Sequence, residues 1–295
     1  MSGLRAPLAG AGLVALYTAL IAAADGITKL IAGGYEAPQL FALSSAIVLL
    51  LAAALARREG GVRHALAIRS RRAMALRAAL TVLAAIGFFQ AFRLLPFADV
   101  FLFIGLMPLI AAALSGLALG ETVRPAAWLA LGAGTCGILF LMPEGRLALD
   151  AGHGWAVLAA VSGTGSMVAA RHIAKAERKP LAQVFWPNLA LALCMALALP
   201  FVWRPMPLAD LIWVAGYALC LFGARFVSVE ALRLLPAHVA TPLMNLQFVW
   251  MVAIGFLGFG ELPSPAAMLG AALVIGSGLW LVVDEAMPPR RVRRA

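Results

Sequence analysis

Charged residues are scarce in this sequence of 295 residues. Asp, Glu, Lys and Arg together make up 12% of it, while 63% is hydrophobic. An ordinary soluble domain is about 25% charged and about 45–50% apolar, so this composition excludes a soluble globular protein and predicts an integral membrane protein. The net charge of +10 does not indicate nucleic-acid binding, because the basic residues lie in short runs between apolar segments, as in cytoplasmic loops.

Motifs of catalysis and metal binding are also missing. The sequence has no GxxxxGK[ST] phosphate loop, which argues against a process driven directly by ATP hydrolysis. It also has no GxSxG nucleophile elbow. Neither HExxH nor CxxC spacing occurs among the histidines and cysteines, which are His64, His153, His172, His238, Cys136, Cys194 and Cys220. We therefore expect that the protein is not an enzyme and has no catalytic residues, no cofactor and no metal.

The sequence has long apolar runs instead. A membrane-spanning helix needs about 20 mostly apolar residues. Ten candidate spans follow one another with short connections, and we number them 1 to 10: 8–32, 38–56, 73–94, 97–119, 125–142, 154–173, 182–203, 209–233, 237–259 and 265–283. Span 1 follows Arg5 and contains AAA at 22–24, as a cleaved signal peptide would. Because its apolar run continues past Asp25 to Ile31, we favour an uncleaved helix.

Lysine and arginine indicate the orientation of the spans. With the N-terminus placed in the cytoplasm, 18 of the 23 Lys and Arg residues fall on the cytoplasmic side, 4 fall outside, and Arg225 lies within span 8. Positive charges concentrate in cytoplasmic loops. We therefore predict a multi-pass protein of the inner (cytoplasmic) membrane with both termini in the cytoplasm.

An internal repeat relates the two halves of the chain. A shift of 140 positions places Arg93–Leu129 on Arg233–Leu269 without a gap, so that RLLP meets RLLP and GE at 120–121 meets GE at 260–261. Such a repeat in an apolar chain indicates a transporter built from two related halves. Each half holds five spans, an odd number, so the second half enters the membrane upside down. The predicted fold class is an all-α integral membrane protein with two inverted five-helix repeats, residues 1–150 and residues 151–295, the second with a basic cytoplasmic tail.

The repeated block resembles the drug/metabolite transporter (DMT) superfamily, in its ten-helix EamA-type branch. The resemblance lies in AFRLLP at 91–96, MPLIAAALSGLALGETVRPAAWLALGAG at 107–134, and the copies ALRLLP at 231–236 and GELPSPAAMLGAALVIG at 260–276. It implies two inverted five-helix repeats that move small metabolites through a central cavity, often outward. Many relatives carry an arginine near the start of span 2, where this sequence has LSSA at 43–46, so no role of that arginine carries over.

From the repeat and the resemblance together we expect a secondary transporter of a small polar or amphipathic metabolite, with export favoured. It would work by alternating access around a midplane cavity. The expected partners are a small-molecule metabolite and membrane lipid, with protons as a candidate coupling ion and no nucleic acid. A monomer and a homodimer are both open. Two alternative functions also stay open: a membrane-embedded enzyme that acts on lipid, and a non-transporting membrane scaffold.

Polar and aromatic residues inside the spans are the candidate substrate-binding residues. An ionisable group in the middle of a lipid bilayer costs roughly 2.5–3.5 kcal/mol on insertion scales, so its presence requires an explanation. The candidates are Tyr17, Asp25, Gln90, Ser162, Ser166, Arg225, Glu230, Asn245, Gln247 and Trp250.

The charged candidates each have a structural alternative. Asp25 is a coupling carboxylate in one interpretation and a partner of Lys29, one helical turn later, in the other. Arg225 is suited to hold a substrate carboxylate or phosphate with two hydrogen bonds, or it pairs with Asp25 or Asp99. Glu230 is the repeat equivalent of Gln90, so the two either line the cavity from both sides or form hydrogen bonds at helix ends.

The uncharged candidates are open to two interpretations as well. Ser162 and Ser166, in the sequence SGTGS, either line a cavity or permit close packing of helices. Tyr17 and Trp250 either stack on a ring or a cation of the substrate or pack in the core. Asn245 and Gln247 follow Pro242 and add hydrogen-bond donors and acceptors near a carbonyl that the proline leaves free.

Overall fold

In a computed structural model of the protein, the described residues are 5–58, 61–119, 151–177, 179–234, 243–244, 246–262, 265 and 268–269. Regular structure within these ranges is helical, and none of their residues forms a strand. The helices with defined bounds are α1 (Arg5–Ala32), α2 (Ala37–Arg58), α3 (Val62–Leu66), α4 (Arg71–Leu94), α5 (Phe97–Leu119), α6 (Ala151–Ala176), α7 (Pro180–Val202), α8 (Leu208–Leu234) and α9 (Leu246–Phe259).

Most of the predicted spans coincide with these helices. Spans 1 to 4 correspond to α1, α2, α4 and α5, spans 6 to 8 correspond to α6, α7 and α8, and α9 covers the second part of span 9. The all-helical class is thereby confirmed. Span 5 lies outside the described residues, as does span 10 apart from residues 265, 268 and 269. The number of ten helices, the inverted repeat and the boundary at residues 150 and 151 therefore stay predictions.

Five helical stretches in the described ranges are long and apolar enough to cross a membrane. They are Leu8–Ala32, Ala37–Arg58, Arg71–Leu94, Pro180–Val202 and Leu208–Arg225. In lipid, a helix satisfies its own backbone hydrogen bonds, which is why apolar runs of this length fold as helices there. Their number indicates a multi-pass membrane protein.

Prolines set several of the helix boundaries. The last turn of α4 ends in the sequence RLLP, where Leu95 has extended backbone angles (φ −119°, ψ 153°) and its N–H donates to the carbonyl of Ala91 at 2.8 Å. A residue before proline is driven out of the helical region, so Pro96 ends α4 and α5 begins directly after it. Pro180 is the first residue of α7. The first N–H groups of a helix have no acceptor within the helix, so the missing N–H of proline costs no hydrogen bond at this position.

The short helix α3 was not among the predicted spans. It has only five residues, and it lies inside the arginine-rich connection between α2 and α4. Its Ala65 and Leu66 are buried in a cluster with Ala56 of α2 and Leu181 of α7. A single turn with one apolar side is too short to show helical periodicity, which is why the sequence predicts only a loop for this segment.

The chain forms two compact units. The larger unit comprises residues Asp25–Leu219, and the smaller unit comprises Met1–Ala24 together with Cys220–Ala295. In the larger unit, α4 packs against α6 and α7, α2 packs against α7, and α5 packs against α6. One of its apolar clusters takes buried side chains from five helices: Ile31 of α1, Leu40 and Phe41 of α2, Phe89 of α4, Leu191 and Met195 of α7, and Val214 of α8.

The contact between α4 and α6 depends on small residues. A Cβ atom added to Gly87 of α4 would lie 3.0 Å from the Cβ and the nitrogen of Ala159 and from the carbonyl oxygen of Trp155. Two of these three atoms are backbone atoms of α6 and cannot turn away. Small residues at helix interfaces allow this close approach in membranes.

The connections of the larger unit gather at two ends. At one, which we call the Tyr35 end, a guanidinium nitrogen of Arg204 donates to the Gly34 carbonyl at 3.1 Å, and Arg93 pairs with Glu36 at 2.8 Å. At the other, which we call the Arg69 end, Lys179 donates to the His64 carbonyl at 2.7 Å. The connections α1–α2, α4–α5 and α7–α8 thus meet at the Tyr35 end, whereas α2–α4 and α6–α7 meet at the Arg69 end.

The smaller unit joins the start of α1 to α9. Val14 of α1 and Leu243, which precedes α9, are buried against each other. A second contact is polar: the indole N–H of Trp250 donates to the hydroxyl of Thr18 at 3.2 Å. Thr18 is fully buried and donates its own proton to the Ala15 carbonyl at 2.9 Å.

Candidate functional site

The predicted site residues divide between the two units. Tyr17, Arg225, Gln247 and Trp250 belong to the smaller unit, and Asp25, Gln90, Ser162 and Ser166 belong to the larger unit. Glu230 lies on α8, but its side chain is outside the described part of the structure, and Asn245 is outside the described residues.

In the smaller unit, Trp250 is tied to α1 through Thr18, next to the predicted Tyr17. The indole remains 40% exposed, so part of its ring surface is open to contact. Gln247 lies one turn earlier on α9, and its amide nitrogen is 3.9 Å from the sulfur of Met251. Thr18 was missed by the sequence analysis, although a hydroxyl in an apolar span is a common donor or acceptor between membrane helices.

The serines of α6 lie at its contact with α4. The hydroxyl of Ser166 is 2.8 Å from that of Thr81, and it also donates to the Arg77 carbonyl at 3.3 Å. Ser162 donates within its own helix, to the Leu158 carbonyl. A Cβ on Gly165, between them, would lie 3.1 Å from a methyl group of Leu80. These contacts favour the packing interpretation of the SGTGS sequence over the cavity interpretation.

A polar connection continues from this contact to α7. The guanidinium of Arg77 on α4 donates to the side-chain oxygen of Gln183 on α7, so that α4 is joined by polar side chains to α6 and to α7. Neither residue was predicted as part of a site. In the sequence, Arg77 comes shortly after three other arginines and was therefore counted among the cytoplasmic charges. Gln183 lies near the start of its predicted span, where polar residues are common.

Asp25 and Lys29 lie one turn apart on α1. The ammonium of Lys29 donates to the Leu95 carbonyl at 3.2 Å and lies 4.8 Å from the centre of the Phe97 ring. Lys29 thus joins α1 to the connection between α4 and α5. Asp25 and Gln90 are half-buried, as is Arg225 on α8, and the partners proposed for the two charged residues stay predictions.

A pocket of about 470 Å³ opens at the Tyr35 end of the larger unit. Its lining includes Tyr35, Arg204, Asp210 and Trp213. The hydroxyl of Tyr35 donates to the Asp210 carboxylate at 2.5 Å, and this hydrogen bond to a charged acceptor raises the pKa of Tyr35 above its usual 10.0. The pocket therefore presents a carboxylate, a guanidinium and two aromatic rings.

Gln39 fixes the connection that forms one wall of this pocket. Its side chain is fully buried, its amide nitrogen donates to the Arg204 carbonyl at 2.7 Å, and its oxygen accepts from the Arg204 N–H at 3.1 Å. Both polar atoms of the amide are thus satisfied by one residue of the α7–α8 connection. None of these residues was predicted. The available signal was that Gln39 and Asp210 are each the second residue of a predicted span, shortly after Pro38 and Pro207.

Within the described ranges, no three His, Cys, Asp or Glu side chains come close enough to hold a metal ion. The predicted site residues and their neighbours mainly form hydrogen bonds between helices, and half-buried charged groups lie on α1 and α8.

Residues 150–283 match the model of the EamA-like transporter family. These residues, which we call the EamA-like region, make up somewhat less than half of the chain. The family falls within the DMT superfamily, so the resemblance seen in the sequence is confirmed. EamA-like proteins are transporters rather than enzymes.

The EamA-like region contains most of the predicted site residues. Ser162, Ser166, Arg225, Glu230, Asn245, Gln247 and Trp250 lie within the matched residues, and Tyr17, Asp25 and Gln90 lie before them.

A solved structure, described as the crystal structure of a protein, aligns with 95% of this chain and 97% of its own chain. Its TM-score is 0.68 at 21% sequence identity, which shows a shared fold over nearly the whole chain. Among curated proteins, none matches the sequence.

Proposed function

We propose that this protein is a secondary transporter that moves a small polar or amphipathic metabolite across the cytoplasmic membrane, with export as its direction. The observation that carries the proposal is the EamA-like match over residues 150–283 in a chain with several membrane-length helices. A protein of this kind would alternate between two conformations, each open to one side of the membrane, around a binding site near the midplane.

The distribution of polar and apolar side chains supports this proposal. Large apolar side chains such as Leu50, Leu197 and Leu257 are more than 70% exposed, as expected of surfaces that face lipid. Polar side chains are buried instead: Thr18, Thr28, Gln39, Ser44, Ser45, Ser162, Thr164, Ser166 and Asn188. In membrane proteins, polar groups inside the helical bundle mark helix contacts or the path of a polar solute.

Among these residues, Thr164 gives the strongest support for the path of a polar solute. It is fully buried, and its hydroxyl has no hydrogen-bond partner among the described residues. A buried hydroxyl without a partner is costly, and a polar solute or a water molecule would satisfy it. We take Thr164 as support for a polar path near α6, whereas Ser162 and Ser166 are engaged in hydrogen bonds at the helix contact.

The alternative functions receive less support. An enzyme acting on lipid would need clustered catalytic groups near one membrane surface, and the family match points to transporters. A scaffold would not require half-buried charges such as Asp25 and Arg225 inside membrane-length helices. The predicted partners, a small-molecule metabolite, membrane lipid and protons as a coupling ion, and the choice between monomer and homodimer, are part of the proposal.

A substrate panel in proteoliposomes tests the proposal. Purified protein is reconstituted, and the uptake of labelled amino acids, nucleobases, sugars and organic cations is measured with and without an imposed pH gradient. We expect uptake of at least one class above that of protein-free liposomes, and a dependence on the gradient if protons are coupled. Uptake equal to that of protein-free liposomes for every class, by protein that is still folded, would contradict the proposal.

A further inference from the structure

Six exposed arginines gather at the Arg69 end of the larger unit. They lie at the end of α2, on α3, before α4 and at its start, and we call them the arginine platform: Arg57, Arg58, Arg63, Arg69, Arg71 and Arg72. Residues 57–72 contain one acidic residue, Glu59, so the net charge of this segment is 6 − 1 = +5. Within the described ranges, no side chain pairs with any of the six guanidinium groups.

The platform is held in place by α7 and by the α6–α7 connection. The indole N–H of Trp186 on α7 donates to the Leu66 carbonyl at 2.9 Å, and Lys179 donates to the His64 carbonyl. The apolar side of α3 is buried against Leu181. The arginines thus project from a fixed support rather than from a free loop.

An acidic residue that contacts the segment of the platform is engaged with its backbone. The carboxylate of Glu177 accepts the backbone N–H groups of Arg69 and Ser70 at 3.0 to 3.2 Å. Ser70 is the N-cap residue of α4 and its side chain makes no capping bond, so Glu177 holds the segment that leads into α4 rather than capping the helix itself. Its two oxygens accept these backbone N–H groups, and the charge of the Arg69 guanidinium contributes least to the lowering of its pKa.

The start of α4 is electrostatically unfavourable without further anions. The N-terminus of a helix carries a partial positive charge, so cations in the first turn raise its energy. Arg71 and Arg72 occupy that turn, and it contains no acidic residue. Glu177 supplies one negative charge just before this turn, and anions in addition to it would lower the energy of placing Arg71 and Arg72 there.

We propose that the arginine platform binds the phosphodiester headgroups of anionic phospholipids. The platform lies at the ends of α2 and α4, two membrane-length helices, which places it at the level of the headgroups. A planar guanidinium offers paired N–H donors that match phosphate oxygens. Clusters of four to eight basic residues beside a membrane helix attract anionic lipid in this way. Trp186, 39% exposed on α7, would mark the same interface.

Thermal unfolding in mixed micelles tests the proposal without any need for a transported substrate. The melting temperature of the purified protein is measured in detergent with increasing phosphatidylglycerol or with phosphatidylcholine. A ligand that binds only the folded state raises the melting temperature, so we expect phosphatidylglycerol to raise it and phosphatidylcholine not to. The double variant Arg71→Gln/Arg72→Gln should be at least as stable as the wild type in phosphatidylcholine and should lose most of the rise.

A double variant at the Tyr35 end, Arg93→Gln/Arg204→Gln, is the matched control, because it removes the same charge from two other exposed arginines. It should keep the phosphatidylglycerol-dependent rise. An equal rise in both double variants, or an equal effect of the two lipids, would overturn the proposal. So would a rise produced by inorganic phosphate alone to the same extent, because the platform would then bind free phosphate rather than a lipid headgroup.

Discussion

Single side chains join the helices of the larger unit at both of its ends. At the Tyr35 end, Gln39 at the start of α2 bonds to the α7–α8 connection, and Tyr35 in the α1–α2 connection bonds to the start of α8. At the Arg69 end, Glu177 and Lys179 hold the α6–α7 connection to the segment before α4. Each tie links residues more than 100 positions apart in the sequence, so their pairing follows from the fold and not from local sequence.

Substituting Glu177 tests the tie at the start of α4. Its pKa is lowered from the usual 4.5 because its carboxylate accepts the N–H groups of Arg69 and Ser70. A lowered pKa means that the charged form stabilises the fold above pH 4.5, and that this contribution is lost as the pH falls through the lowered value. Glu177→Gln should therefore reduce the melting temperature at pH 7, and the difference from the wild type should shrink in acid.

Thermal unfolding between pH 7 and pH 3.5 measures this effect. Glu36→Gln is the control, because the Glu36 carboxylate pairs with an exposed arginine and exposed pairs contribute only about 0–1 kcal/mol. A difference between wild type and Glu177→Gln that stays constant with pH would show that the charge of Glu177 has no role.

The charge on α8 gives a prediction about transport. Arg225 is a half-buried arginine in a membrane-length helix, and we expect Arg225→Ala to abolish transport. Arg225→Lys should impair it, since lysine keeps the charge but lacks the planar pair of donors. Initial uptake rates in proteoliposomes check this, with Arg93→Ala as a surface arginine that should transport nearly normally. Wild-type uptake by Arg225→Ala would exclude both the substrate role and an essential pairing role.

The candidate site was predictable from the sequence only in part. Half-buried polar residues such as Asp25 and Arg225 are visible as charges in apolar runs. Gln39, Arg204 and Asp210 lie at span ends, where polar residues are ordinary, and only the fold shows that they meet. For Ser166, the sequence left packing and cavity lining open, and its contact with Thr81 favours packing.

At the scale of helices, the length of the apolar runs was sufficient to locate most of the membrane-length helices. Seven predicted spans correspond to whole helices because a run of about 20 apolar residues has no other way to satisfy its backbone in lipid. The proline of RLLP also marked the end of α4 correctly. Helix α3 was missed because its five residues fold by packing on α2 and α7, a tertiary contact that local sequence does not show.

The close contact of α4 and α6 gives a prediction at this scale. Gly87→Ala would place a methyl group 3.0 Å from backbone atoms of α6, and overpacking of this kind costs about 1–3 kcal/mol. We expect a lower melting temperature in detergent. Gly154→Ala on α6, where nothing lies within 4 Å of the added atom, is the matched control and should be neutral or slightly stabilising. Equal effects of the two substitutions would contradict the predicted close packing.

At the scale of the whole molecule, the repeated motifs of the sequence are enough to indicate the family. RLLP and GE occur at constant spacing in both halves and carry that resemblance, and the family match over residues 150–283 confirms it. The substrate was not predictable from the sequence. Most residues of a transporter are apolar residues that form helices and can replace one another, whereas substrate specificity depends on a few side chains.

Coupling to protons is also a property of the whole molecule, and Asp25 tests it. A coupling carboxylate must lose its charge during the cycle, and Asp25→Asn imitates the uncharged form permanently. If Asp25 couples protons, this variant should retain substrate exchange but lose accumulation driven by a pH gradient. If Asp25 only pairs with a cation, the variant should be less stable, and a charge-swapped double variant should recover some activity. Continued pH-driven accumulation by Asp25→Asn would exclude the coupling role.

Solute counterflow is the most direct measurement of alternating access. Proteoliposomes are loaded with an unlabelled metabolite that the substrate panel identifies, diluted into a trace of the same labelled metabolite, and sampled over time. A carrier that exposes one site to each side in turn exchanges outgoing for incoming molecules, so the label should rise transiently above its equilibrium level and then decline. A monotonic rise to equilibrium, as through an open pore, or no rise beyond that of protein-free liposomes would contradict the account.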